Sequence, residues 1–333
     1  MKSTYKQIPM AARYLINTVL IIAFLVVGNL IISSGLINRA QSSVVLQVGI
    51  YIILAVSLNI VTGYLGQLPL GHAGFMAVGA YAGAIFWKSS LGGSLPTGIA
   101  IFIGLVLAGI VAAIFGILIG VPALRLKGDY LAIITLGFGE IIRVCIINLP
   151  EITGGTPGMM GIPKHANFLV VYLAVVVAFL VSWFLNRSSV GLNLRAVGEN
   201  PATADAAGIN VSRNKYLATV IGGGISAIGG MVYITTIAGC VWNHEGLAGE
   251  GWLAVALVIF CLWRPLNAIW GSILFGGLMI LYLRLQVPFI PDQLYKILPY
   301  VVTVIVLIFT SLRNSKDKQP PASLGLAYFR EER

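Results

Sequence analysis

Three segments of this sequence combine residue types and spacings that can do chemistry. The first, residues 63–75, reads GYLGQLPLGHAGF and holds Gly66, Gln67, Pro69, Gly71 and His72. Four glycines and one proline cannot continue a helix, because proline lacks an N–H and glycine is entropically costly to order. Non-helical backbone at membrane depth is tolerated only when it is buried in protein or lines a cavity. Broken helices of this kind mark the translocation path in many transporters. An ordinary tight cytoplasmic turn accounts for the same residues equally well. His72 alone reads as a hydrogen-bonded structural residue ahead of a proton carrier or ligand.

The second segment, residues 128–144, reads GDYLAIITLGFGEIIRV. Glu140 and Arg143 lie three residues apart, so a helix puts them on one face, where they neutralise each other. Charges inside a membrane are expensive and normally face protein or a water-filled cavity. A buried ion pair that locks helix packing stands slightly ahead of a path-lining role. The third segment, residues 195–215, is a polar island between apolar runs, RAVGENPATADAAGINVSRNK. Asn200 is a good N-cap and Pro201 suits the first helical position. Ala202, Thr203, Ala204, Asp205, Ala206 and Ala207 continue the helix, and Gly208 supplies a left-handed stop. Helices below roughly 12–15 residues are marginal in water, so this one is expected to dock on something.

Other chemistries have no residues to carry them. The sequence has no G-x-x-x-x-G-K-[ST] phosphate loop and no zinc-protease or kinase signature. Its three histidines are not spaced as metal ligands, and Cys145, Cys240 and Cys261 form no C-x-x-C motif. No catalytic residue, metal site or bound cofactor is expected, and ATP-driven work would need a separate ATPase.

The elements that position these segments follow from composition. The chain has 333 residues, 58% hydrophobic and 10% charged, with a mean hydropathy of +0.93. A soluble domain carries about 25% charged residues, so the sequence predicts an all-α polytopic transmembrane bundle. Apolar runs near the roughly 20 residues needed to cross a bilayer fall at 14–34, 44–62, 72–88, 97–120, 130–149, 168–185, 216–237, 251–263, 266–283 and 297–312. The boundary near Arg264 and Pro265 is the least distinct. The run at 14–34 exceeds a secretory h-region and reads as a retained span.

Ten spans put both termini on one side. With the N-terminus inside, fifteen basic residues fall in cytoplasmic segments and five (Arg39, Lys88, Lys164, Arg284, Lys296) outside. Basic residues favour the cytoplasm, which explains the net charge of +10 without invoking nucleic acid. Residues 1–312 then form one transmembrane domain with a cytoplasmic loop at 186–215. Residues 313–333 form a charged, proline-interrupted cytoplasmic tail, expected as a surface extension. Glycine clusters such as Gly222-Gly223-Gly224 and Gly229-Gly230 read as close helix packing.

With these segments in place, the sequence resembles permease subunits of bacterial ABC importers for branched-chain amino acids, simple sugars and nucleosides. The runs SLNIVTGYLGQLPLGHAGFMAVGAYAGA, PALRLKGDYLAIITLGFGEIIRV and TGGTPGMMGIP resemble branched-chain amino acid permeases. The runs GLNLRAVGENPATADAAGIN, LAVALVIFCLWRPLNAIWGSILFGG, LPYVVTVIVLIFTS and PPASLGLAYFREER are more similar to nucleoside-type permeases. The resemblance implies a multi-pass protein of the bacterial plasma membrane, embedded in lipid. It implies a second permease subunit, identical or not, two cytoplasmic ATPases that hold ATP and Mg, and an external solute-binding protein. It also implies that Glu199, Asn200, Pro201, Ala204, Asp205, Ala207 and Gly208 form a coupling helix seated in a groove of the ATPase. Hydrophobic amino acids lead as substrate, with nucleosides as runner-up. An ion-coupled carrier using Glu140 or His72 is the reading from another class.

Overall fold

The computed structural model describes residues 22–23, 25–32, 34, 38–124, 126, 128–162, 167–236, 250–284, 292–312 and 320–325. Its elements are helices: α1 (Arg39–Asn59), a π-helical turn (Ile60–Tyr64), α2 (His72–Lys88), α3 (Ser90–Ser94), α4 (Thr97–Ala123), α5 (Gly128–Ile147) and α6 (Pro150–Thr153). After these come α7 (Phe168–Arg187), α8 (Ser189–Glu199), α9 (Pro201–Ala206), α10 (Val211–Thr236), α11 (Glu250–Phe260), α12 (Asn267–Arg284) and α13 (Asp292–Leu312).

Among the described residues, five stretches are long and apolar enough to cross a bilayer: Gln41–Tyr64, Thr97–Ala123, Asp129–Ile147, Phe168–Arg187 and Val211–Thr236. Shorter apolar helical stretches lie at Gly251–Phe260, Asn267–Leu278 and Tyr300–Phe309. Of the run at 14–34, residues 22–23 and 25–32 are helical. Residues 261–266, around Arg264 and Pro265, form the turn between α11 and α12.

Two helices form the centre. In the most apolar window of each, 83% of the α1 stretch and 72% of α10 are buried, against 22% for α4 and 28% for α5. A helix apolar all round must sit in a core or face lipid, and this chain uses both solutions. The glycines of α10 explain its close approach to α2. Gly223 lies against the Phe75 ring and Gly230 against the Met76 carbonyl, where an added Cβ would overlap backbone. Lipid supplies no hydrophobic drive between helices, so small residues gain contact by letting backbones touch. Hydrogen bonds fix the neighbours: Trp87 Nε1 donates to Ala100 O at 2.9 Å, tying α2 to α4. Tyr172 Oη donates to Val45 O at 2.9 Å, tying α7 to α1.

Of the tail, residues 320–325 are described, and Ala322 and Gly325 are exposed there. Pro321 and Ser323 are buried.

Candidate functional site

The broken segment is not a tight turn between adjacent helices. The chain leaves α1 through the π-helical turn, with Gln67 N–H donating to Val61 O at 3.2 Å. Residues 66–71 then run without helical form before His72 starts α2. At its far end Leu70 N–H donates to Thr135 Oγ1 at 3.1 Å on α5. Gly71 lies so close to the Thr135 carbonyl that any side chain would overlap it. The segment is thus sandwiched by protein, as non-helical backbone in a membrane bundle has to be.

His72 is 1% exposed, and its Nε2 lies 2.8 Å from Ser57 Oγ. The Ser57 hydroxyl also donates to Leu54 O at 2.8 Å. With that proton used, Nε2–H is the donor to Ser57, and Nδ1 is left as an acceptor. Nδ1, Gln67 Oε1 and Asn59 Oδ1 are all buried without a partner among the described residues. Buried polar atoms are normally hydrogen-bonded, so three such orphans in or beside one broken segment mark it as a polar seam. A small cavity adjoins it, lined by residues including Gln67, Pro69, Gly71, Phe75, Leu131 and Thr135. Its volume of about 20 Å³ has room for about one water and no larger solute.

Glu140 and Arg143 do form their pair, with Arg143 Nε donating to Glu140 Oε2 at 2.7 Å. Unlike a packing lock, the pair is exposed: 59% for Glu140 and 45% for Arg143. Glu140 is the thirteenth residue of α5, about 10 Å along the axis from Ile147 at 1.5 Å per residue. Thr135, which holds the broken segment, lies on the same helix, so the seam and the pair share one support. The neighbouring outward face of α4 is different. Phe102, Val106, Ile110, Ile114 and Leu118 are exposed there and wholly apolar, as suits lipid. The α5 face carries a charge pair that lipid would not solvate.

The polar island folds as its local signals dictate. Ser188 caps α8 by accepting from Gly191 N–H at 3.2 Å, and Asn200 caps α9 by accepting from Thr203 N–H at 3.0 Å. Pro201 is the first residue of α9, and Gly208 takes φ +85°. Ile209 N–H closes the end by donating to Ala204 O at 3.0 Å, a Schellman closure. Ala204 is buried against its own chain, whereas Glu199, Asn200 and Ala207 are exposed and Asp205 is partly so. The helix therefore docks by Ala204 onto α8 and α10 and leaves another face open.

The sequence reading missed Tyr64, which joins this island to the broken segment. Its hydroxyl lies 2.9 Å from Ser182 Oγ and accepts from Asn186 Nδ2 at 2.8 Å. The Arg195 guanidinium sits 5.5 Å from its ring centroid, a cation–π distance. These contacts span 118 and 122 residues of sequence, so no local pattern announces them.

Comparison with known proteins gives the chain a family and relatives. The family described as "Branched-chain amino acid transport system / permease component" matches residues 40–307. The LivM permease protein of a high-affinity branched-chain amino acid transport system in Salmonella typhimurium is 34% identical over 60% of this chain and 53% of its own length. The chain thus spans about half the length of that curated relative. A nucleoside ABC transporter permease protein, NupC of Lactococcus lactis, is 30% identical over 73% of this chain and 83% of its own. A guanosine ABC transporter permease protein, NupQ of Bacillus subtilis, is 29% identical over 80% and 89%. No solved structure matches the chain.

Proposed function

Since the chain belongs to the family of branched-chain amino acid transport system permease components, we propose that it is one membrane subunit of an ATP-driven importer for hydrophobic amino acids. A second permease subunit completes the path, one of two ATPases docks on the open face of α9, and an external binding protein delivers the solute. The exposed Glu140–Arg143 pair carries this reading. A charge pair part-way through an apolar span, on a face its own bundle leaves open, calls for a protein or aqueous neighbour rather than lipid. That neighbour is the path between the two permease subunits, with Gly66, Gln67, Pro69, Gly71 and His72 forming its gate toward the coupling helix. An amino acid brings separated ammonium and carboxylate groups, and Glu140 and Arg143 offer the complementary charges.

A nucleoside reading has its own support. The nucleoside and guanosine permeases named above align over more of this chain than LivM does. Uptake by the full importer in proteoliposomes separates these possibilities. ATP-dependent leucine uptake that survives a proton ionophore is the expected result. Uptake of inosine but not leucine would replace the substrate, and ionophore-sensitive uptake without ATPases would replace the mechanism by the ion-coupled one.

A further inference from the structure

Residues 320–325, PASLG and its preceding proline, bond to two elements of the mechanism whose backbones already meet where Gly198 packs against Tyr64. Ser323 N–H donates to Gly198 O at 3.0 Å, and its hydroxyl donates to the same carbonyl. Gly198 is the penultimate residue of α8, where helix carbonyls have no intrahelical donor. Ser323 supplies that missing donor just before Asn200 caps α9. Two residues on, Gly325 N–H donates to Gly66 O at 3.3 Å, and Gly66 begins the broken segment. Leu324 N–H donates to Pro321 O at 2.9 Å, folding the strap into a turn. Ser323 is 6% exposed. The fit is tight at Gly66, where a Cβ would stand 3.0 Å from Ser323 Oγ and 3.4 Å from Gly198 O. Gly66 also has φ +73°, open to glycine at little cost.

We propose that this tail segment is a coupling strap, with Ser323 a positioning residue that makes the end of α8 and the broken segment move as one body. The inference rests on the ATP-driven reading above. A push of the ATPase on α9 reaches Gly198 first. From there the carbonyl bonds to Ser323 and the bond from Gly325 to Gly66 carry it to the gate. Allosteric coupling needs one element that both sites bias, and six residues bonded to both supply it.

The test uses the complete importer in proteoliposomes, comparing the parent, a chain ending at Gln319 and Ser323→Ala. Labelled leucine is the solute, and ATP hydrolysis is measured in the same vesicles. The shortened chain should still assemble with its ATPases and hydrolyse ATP within about twofold of the parent, while uptake falls about tenfold, a usual size for coupling between sites. ATP consumed per leucine therefore rises about tenfold, and Ser323→Ala moves the same ratio in the same direction by a smaller factor. A parent-like ratio in both variants overturns the strap. So does a parallel loss of uptake and hydrolysis with the ATPases no longer copurifying, which would make the segment a docking surface only. If the parent itself moves inosine and not leucine, the substrate reading fails, and the same ratio is measured with inosine.

Discussion

Neutralising the α5 pair separates a path role from a packing role, and the structure gives the expected sizes. Glu140→Gln and Arg143→Gln each leave one uncompensated charge within the span, while the double replacement leaves none. A lone charge near the centre of a span costs roughly 2.5–3.5 kcal/mol. If the pair only stabilised the bundle, each single variant would lose expression or thermal stability by that order, and the double variant would recover both stability and uptake. Because both side chains are open to their surroundings, their mutual attraction contributes only about 0–1 kcal/mol, so the double variant should be nearly as stable as the parent. Each charge bonded to a zwitterionic solute contributes about 1.5–3 kcal/mol. At about 1.4 kcal/mol per factor of ten, each single loss costs roughly 10- to 150-fold in uptake efficiency, and the double variant stays as defective as the singles. Thermal unfolding in detergent and the kcat/KM of leucine uptake measure the two quantities. Full uptake by the double variant at normal expression would refute the reasoning.

Four further outcomes follow from named contacts. Ala207→Arg, on the open face of α9, should leave the chain folded and assembled in the membrane but strip uptake relative to ATP hydrolysis. Ala204→Arg should instead fail to fold, because Ala204 packs inside its own chain. Tyr64→Phe removes the hydroxyl shared by Ser182 and Asn186 and strands buried partners, so thermal unfolding should report a loss of about 1–3 kcal/mol. Gly71→Val drives a side chain into the Thr135 carbonyl. It should cost at least about 1–3 kcal/mol as overpacking, visible as loss of folded protein on size-exclusion chromatography.

Local chemistry was the legible part of this sequence. The cap at Asn200, the first-turn Pro201 and the stop at Gly208 act within a few residues, and each takes its expected place. The break at 66–71 was equally local, since glycine and proline veto a helix wherever they cluster. The spacing of Glu140 and Arg143 foretold their pairing but not the direction of their face, which depends on which side of α5 meets α2. Tyr64 and Ser323 were invisible because their partners lie more than a hundred residues away. The strap, moreover, bonds to main-chain carbonyls that every sequence possesses. The start of α8 was missed for a smaller reason: its Ser188 cap precedes the residues whose polarity drew notice.

The central claim, that the α5 face borders the solute path, is tested most directly by thiol accessibility. Gly137 lies one turn from Glu140, with open space where a side chain would go, so cysteine is tolerated there. Ile110, exposed on the apolar face of α4, is the lipid-facing comparator. Both substitutions are placed in a chain whose three cysteines are replaced by serine, within the complete importer. A charged thiosulfonate reagent should label Gly137→Cys at least about tenfold faster than Ile110→Cys, since it reacts only where water enters, and leucine should slow it. Equal, slow labelling at both positions would contradict the account.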